Sequence, residues 1–185
     1  MKEYLIQFKP FLLFLTKFFV TYLVLTFIYQ SYLNQFDEKK FEVDGFTQIV
    51  AKQSKVVLSL FDSQSYTMPN YKEPSVKLFY HTQWVARIVE GCNALSVIIL
   101  FVSFVIAFTG KFKQTFLFII SGSLLVHIFN VLRIALLCMA IFHYPQYEHV
   151  LHGVIFPLFI YGIVFLLWVI WVNNYSSYAK KSTKK

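Results

Sequence analysis

The stretch "RIVEGCNALSVIILF", from Arg87 to Phe101, changes its character within a few positions. Its first half carries charged and polar side chains and ends at Gly91, Cys92 and Asn93, whereas its second half is almost entirely apolar. Such an abrupt change is typical of the start of a membrane-spanning helix. The stretch therefore predicts a membrane protein that holds a cysteine, next to a flexible glycine, at the threshold of one of its spans.

The composition of the whole chain agrees with a membrane protein. The 185 residues are 57% hydrophobic and 20% aromatic but only 14% charged, and a soluble domain of this size needs more charged side chains to cover its surface. The formal net charge of +8 would suggest a nucleic-acid partner in a soluble protein, but lysines also collect at the cytoplasmic ends of membrane helices. Because no nucleic-acid-binding motif accompanies the charge, we expect no nucleic-acid partner.

Segments long and apolar enough to cross a bilayer, whose ~30 Å core needs roughly 20 residues of helix, occur at four places in the chain. The predicted spans are residues 11–29, 91–110, 115–142 and 151–172. Since backbone polar groups in lipid must be satisfied within the segment, we predict an all-α integral membrane protein with a single membrane domain. The first span is interpreted as a retained anchor, because no small-residue cleavage site of a signal peptide follows it.

The lysines that flank these spans orient the chain in the membrane. They occur near the N-terminus, in the link between the second and third spans (Lys111 and Lys113), and in the basic tail 173–185. The link between the third and fourth spans, "HYPQYEHV", has neither lysine nor arginine. Because positive residues are retained in the cytoplasm, both termini and the Lys111 link are predicted inside. Residues 30–90 then form a polar insertion of about 60 residues on the outer face.

The outer insertion contains two segments with a recognisable pattern. Residues 47–61, "TQIVAKQSKVVLSLF", are amphipathic and would either lie on the membrane surface or pack as a helix of a small outer cap. The pattern does not distinguish these two alternatives. Residues 66–74, "YTMPNYKEP", are rich in turn-forming residues and predict an irregular loop.

This topology brings three reactive types of side chain to a similar depth from three different helices. Cys92 lies at the outer start of the second span, and Arg133 lies in the outer half of the third. His149 and His152 lie at the outer start of the fourth. The topology rests only on flanking charges and segment lengths, so the convergence is independent support for a site. The second cysteine, Cys138, lies in the apolar run "ALLCMAIF" and is expected to be a packing residue.

Arg133 is the most informative of these residues, because an arginine inside a membrane costs roughly 2.5–3.5 kcal/mol on insertion scales and usually faces a polar cavity. Together with Ser123, His127 and Asn130 it recurs at helical spacing and forms a polar stripe. A stripe facing lipid would be costly, so it should face the interior of the bundle. The alternatives are that Arg133 reaches the outer surface and that His127 and Asn130 only hold helices together.

The residue types at this depth are those of acyl transfer. A cysteine thiolate is a nucleophile, and a neighbouring cation favours the thiolate form. A histidine can take the thiol proton and return one to a leaving amine, and a fixed guanidinium can stabilise the oxyanion of a tetrahedral intermediate. His149 and His152 form an HxxH pair without an acidic companion at ligand spacing, so we expect no metal and no cofactor. The polar residues expected to contact substrate are Asn93, Asn130, His127 and His149.

Three stretches resemble the exosortase/archaeosortase family, and most of all its small exosortase F branch. They are "EGCNALSVIILFVSFVIAF" (90–108), "NVLRIALL" (130–137) and "HGVIFPLFIYGIVFLLWVIWV" (152–172). The family has a cysteine that opens one span, an N-x-x-R motif within the next, and a histidine that opens the last. The same order occurs here, with Cys92 first, the Asn130 motif second and His152 third.

The resemblance implies a membrane-embedded cysteine protease/transpeptidase that works through a thioester. It implies that Cys92 is the nucleophile, Arg133 the oxyanion stabiliser and His152 the general base, with His149, one turn away, as the alternative base. The implied substrates are exported proteins that end in a short motif, a transmembrane helix and a basic tail. The implied product is a protein transferred to an envelope acceptor, whose identity the sequence does not reveal.

The same resemblance implies a multi-pass protein of the bacterial cytoplasmic (inner) membrane, in contact with membrane lipid and with its active site on the periplasmic face. Larger members of the family have more spans than the four expected here, so a homodimer or a second subunit is expected to complete the fold. Two alternatives stay open at this point. One is an enzyme that only hydrolyses its substrate, and the other is a non-catalytic four-helix scaffold or assembly factor in which Arg133 holds helices together.

Overall fold

The computed structural model describes residues 2–108 and 110–176. Most of the predicted basic tail, 173–185, therefore lies outside the described residues. The helices are α1 (Lys2–Leu33), α2 (Gly45–Ser59), α3 (Leu95–Ala107), α4 (Phe112–His143) and α5 (Pro145–Tyr175). A three-stranded antiparallel sheet lies between α2 and α3, with the strands in the order β1 (Tyr66–Pro69), β2 (Val76–Tyr80) and β3 (Gln83–Ile88).

The membrane-spanning character of the fold comes from its long helices. Three of them, Phe8–Leu33, Phe112–His143 and Pro145–Tyr175, are long and apolar enough to cross a membrane. The predicted class, a mostly helical integral membrane protein, is therefore confirmed. The helix in the predicted span 91–110, α3, has only 13 residues, about 20 Å at 1.5 Å per residue. A fourth crossing therefore stays a prediction.

The helices α1, α3, α4 and α5 form an antiparallel bundle. At one end, the Phe14 ring of α1 packs against Phe108 with the centroids 4.5 Å apart. At that same end, Trp171 Nε1 of α5 donates to the Phe108 carbonyl at 3.2 Å, and Gly110 pairs with Ser176. This end therefore gathers the start of α1, the α3–α4 link and the end of α5. The lysines predict the same grouping, with these parts on the cytoplasmic side.

The opposite end of the bundle carries a cap formed by α2 and the sheet. Asp44 begins α2 as its N-cap, because its Oδ1 accepts from the Thr47 N–H at 3.0 Å. The buried face of α2, with Val50 and Leu58, packs against the sheet and the C-terminal half of α4. Residues 47–59 of this segment thus belong to a packed cap helix. Cys138 of α4 is fully buried in this core, as a packing residue would be.

The sheet in the cap is a feature that the sequence pattern does not predict. Residues 66–74, expected to be an irregular loop, contain β1, which pairs with β2 from Tyr66 opposite Phe79 to Pro69 opposite Val76. The inward face of β2 is buried at alternate positions, whereas much of β1 is exposed. Because β1 is a short, exposed edge strand, it lacks the apolar alternation that marks a strand in a sequence.

Helix α5 changes its winding along its length. It begins with a 3-10 turn at Pro145–Tyr147 and a single α-helical turn at Glu148–Val150. A π-helical turn follows at Leu151–Ile155, before the regular α-helix Phe156–Ile170. A π turn holds more residues than an α turn and therefore rotates the side chains before it relative to those after it.

Candidate active site

A cavity of about 510 Å³ lies where the cap meets the bundle, within the usual size range of ligand sites. Its wall is formed by the end of β3, the turn before α3, the C-terminal half of α4 and the start of α5. Cys92, Arg133 and His152 all line it. The three residues singled out in the sequence for acyl-transfer chemistry therefore meet at one cavity, although they come from three separate parts of the chain.

Cys92 lies on a turn between the sheet and the bundle. The 3-10 turn Glu90–Cys92 leads from β3 towards α3, and the Cys92 N–H donates to the Val89 carbonyl at 2.9 Å. Across the turn, Asn130 Nδ2 of α4 donates to the Cys92 carbonyl at 2.8 Å. Ala94, which follows closely, has a φ of 63°, a left-handed conformation that is uncommon for a residue other than glycine. The backbone around Cys92 is thus held from both sides, while its side chain stays partly accessible to the cavity.

Asn93, expected to contact substrate, is instead a structural connection between elements. Its Nδ2 lies 3.0 Å from the Tyr29 hydroxyl oxygen and 3.3 Å from Thr47 Oγ1, so it joins α1 and α2 to the start of α3. Its Oδ1 accepts from the Leu95 N–H at 2.9 Å, and the Tyr29 hydroxyl donates to Glu90. The Asn93 side chain is buried and does not line the cavity.

Arg133 lies half-buried on α4 and faces the cavity. Its guanidinium lies within Coulombic range of Cys92 and Tyr161. Its Nε is buried and has no hydrogen-bond partner among residues 2–108 and 110–176. A buried donor without a partner costs free energy until an acceptor fills its place. Arg133 thus lines the cavity, and its Nε–H is not used to hold a neighbouring helix within the described part of the chain.

The two candidate histidines differ in their position relative to the cavity. His152 lies within the π turn of α5 and lines the cavity, whereas His149, one turn earlier, does not. π turns within α-helices are frequent at functional sites. Of the two candidates for the general base, the geometry therefore favours His152.

The polar side chains His127, Asn130 and Arg133 of α4 lie in three different surroundings. His127 Nε2 lies 2.7 Å from Gln53 Oε1 of α2, and His127 does not line the cavity. Asn130 binds the Cys92 backbone, and Arg133 alone of these three lines the cavity. The four residues predicted to contact substrate therefore all lie outside the cavity wall: Asn93, Asn130, His127 and His149.

Three polar residues of the cavity wall were missed by the sequence analysis: Arg87, Glu148 and Tyr161. Arg87, on β3, forms an ion pair with Glu73 and lies within Coulombic range of Cys92. Its signal in the sequence is its place at the end of a strand that leads directly to Cys92. Among residues 2–108 and 110–176, no group of three His, Cys, Asp or Glu side chains could hold a metal ion.

A comparison with models of protein families gave one informative result. The model described as transmembrane exosortase (Exosortase_EpsH) matches residues 5–172. The matched range covers most of the chain and contains every residue of the cavity wall. The comparisons with curated proteins and with solved structures found no match.

Proposed function

This chain belongs to the transmembrane exosortase family, and from that premise we propose that it is a membrane-embedded cysteine protease/transpeptidase. Its proposed substrates are exported proteins with a C-terminal sorting signal. The observation that carries the proposal is the meeting of Cys92, Arg133 and His152 at one cavity. We further propose that the chain belongs to the small exosortase F branch of this family.

The first half of the proposed reaction forms a thioester. His152 takes the proton of the Cys92 thiol, and the sulfur attacks the carbonyl carbon of the scissile peptide bond. Arg133, whose side chain lines the cavity, donates to the oxyanion of the tetrahedral intermediate through its guanidinium. The intermediate collapses when the C–N bond breaks, and His152 returns its proton to the leaving amine. The released fragment carries the transmembrane helix and basic tail of the substrate.

The second half of the reaction resolves the thioester. An amine or hydroxyl group of an envelope acceptor gives its proton to His152 and attacks the thioester carbonyl. Collapse breaks the C–S bond, and the sulfur regains a proton from His152. Attack by water instead would make the enzyme a simple protease. Asn130 is a positioning residue in this scheme, because it holds the carbonyl of Cys92 and touches no reacting atom.

The proposed setting is the inner membrane of a bacterium, with the cavity on the periplasmic side. The substrate helix would approach laterally through the lipid, which places the scissile bond at the depth of the cavity. The chain crosses the membrane several times in this arrangement, with α3 as the shortest crossing. A homodimer or a second subunit would complete the bundle.

The test compares the envelope proteins of cells that carry the wild-type chain, Cys92→Ala, Cys92→Ser or Cys138→Ser. We expect exported proteins with a C-terminal helix and basic tail to keep their tails in both Cys92 variants, as detected by mass spectrometry of C-terminal peptides. Cys138→Ser controls for the loss of a thiol elsewhere. Normal processing with Cys92→Ser would contradict catalysis and favour a scaffold. The mass of the new C-terminal peptide would distinguish transfer from hydrolysis, because hydrolysis leaves a free carboxyl group and transfer leaves the added mass of the acceptor.

A further inference from the structure

Strand β3 forms both an edge of the sheet and a wall of the cavity. It pairs with β2 on one side, and among residues 2–108 and 110–176 no strand pairs with its other side. Its residues Val85 to Ile88 line the cavity, and the chain reaches Cys92 one short turn later. An open strand edge therefore leads directly to the proposed nucleophile.

The pairing pattern shows which backbone groups of β3 face the open edge. The Asn70 N–H donates to the Ser75 carbonyl at 3.0 Å, so hydrogen-bonded pairs alternate from there along β1 and β2. The next pair, Pro69 with Val76, is not hydrogen-bonded, in agreement with the missing N–H of proline. The pair after that, which contains Lys77, is hydrogen-bonded again, so Lys77 directs its backbone N–H and C=O to β1. Its partner on β3, Arg87, directs its own N–H and C=O away from the sheet, towards the open edge.

We propose that the substrate segment just before the scissile bond binds as an additional strand along β3. This inference rests on the proposed function. Strand β3 runs towards the start of α3, and a substrate with an external domain and a membrane-spanning tail runs towards the membrane in the same direction. The added strand is therefore parallel to β3. Its end meets Cys92 because β3 itself ends there.

The main-chain contacts of such a strand follow from parallel pairing. The Arg87 N–H donates to one substrate carbonyl, and the Arg87 carbonyl accepts from a substrate N–H two residues further along. These bonds hold an extended peptide whatever its side chains, while alternate side chains meet the cavity wall. Arg87 is an exposed residue of β3, and its side chain is bound to Glu73.

The test compares two substitutions at one position. Arg87→Ala removes the side chain and keeps the edge N–H, whereas Arg87→Pro removes both. Proline is tolerated on edge strands where the N–H faces away from the sheet. Thr67→Pro is the matched control, because Thr67 has the same orientation on the opposite edge strand, β1. The probe is an exported protein whose tail is retained by the Cys92→Ala variant.

Strand addition predicts that Arg87→Pro processes this probe about tenfold or more slowly than Arg87→Ala, the order of one lost backbone hydrogen bond. Thr67→Pro should process it at the wild-type rate. Equal rates for Arg87→Pro and Arg87→Ala, with Cys92→Ala still inactive, would overturn strand addition and leave the proposed function intact. Normal tail removal by Cys92→Ala would overturn both.

A second measurement changes the substrate and leaves the enzyme unaltered, so it does not depend on how well Arg87→Pro folds. The segment before the scissile bond is synthesised with single backbone N-methyl groups and joined to the transmembrane tail. In a parallel strand only alternate residues direct their N–H to the partner. We expect the cleavage rate to decrease when the N-methyl group is at every second residue of the segment and to stay unchanged when it is at the residues between them. An equal effect at every position, or none, would overturn the proposal.

Discussion

The ion pair of Arg87 and Glu73 gives the cap a dependence on pH. The hydrogen bond from Arg87 lowers the pKa of the Glu73 carboxyl below its ordinary value of 4.5. A lowered pKa in the folded state means that the pair stabilises the cap above pH 4.5 and that this contribution is lost as the pH falls through the lower value. Because both side chains are partly exposed, the effect is expected to be small.

The measurement is amide hydrogen exchange of β2 and β3 between pH 5 and pH 3, corrected for intrinsic exchange. We expect protection to fall with pH in the wild type and to fall less in Glu73→Gln. The Asp62 carboxyl also has a lowered pKa. Burial raises this pKa, but the hydrogen bonds from the His81 and Gln64 N–H groups and the Ser65 hydroxyl lower it by a larger amount. Some pH dependence should therefore persist in the variant. Identical curves for the two proteins would contradict a role of the Arg87 pair.

Candidate site residues could be identified from the sequence where reactive side chains lie at a similar predicted depth in the membrane. Cys92, Arg133 and His152 were chosen because each is unusual for its membrane position, and all three line one cavity. Asn93 and His127 were expected near the substrate because they are polar, but both are hydrogen-bonded to the first part of the chain. Polarity marks a residue that needs a partner. It does not determine which neighbouring element supplies that partner.

Helices α3 and α4 approach closely at Gly122. A Cβ added to this glycine would lie 2.3 Å from Cζ of Phe101, a ring that is itself fully buried. We expect Gly122→Ala to lower the free energy of unfolding by about 1–3 kcal/mol, because the ring must shift in a filled core. The measurement is thermal unfolding in detergent. Gly162→Ala is the control, since nothing lies within 4 Å of its added Cβ, and an equal loss in both variants would contradict this packing.

The long helices could be predicted at the scale of elements, whereas the short elements could not. Long runs of apolar residues predict the lengths of α1, α4 and α5 directly. The strands of the cap are only 4 to 6 residues long, and their alternation is weakened by exposed Tyr66 and Trp84. The π turn of α5 leaves no pattern in the sequence. Its effect on His152 depends on the packing of the whole helix.

The arrangement of the bundle ends makes a prediction for the whole molecule. The cap lies at one end, and the α3–α4 link lies at the other with the end of α5. In a chain without its native cysteines, we expect Ser63→Cys in the cap to react with a membrane-impermeant thiol reagent in intact cells. Lys113→Cys in the first turn of α4, next to the link, should react only after permeabilisation. The opposite pattern would mean that the positive-inside rule assigns the wrong orientation to this bundle.

The cap core has a consequence for the order of events during synthesis. Its apolar residues come from α2 and the sheet but also from α4, including Val131, Ile134 and Ala135. These residues are made only after α3 and the link that follows it. The cap core must therefore remain incomplete until α4 has been synthesised. The same helix brings Asn130 to the Cys92 carbonyl, so the backbone of Cys92 is held in place only once α4 has packed into the bundle.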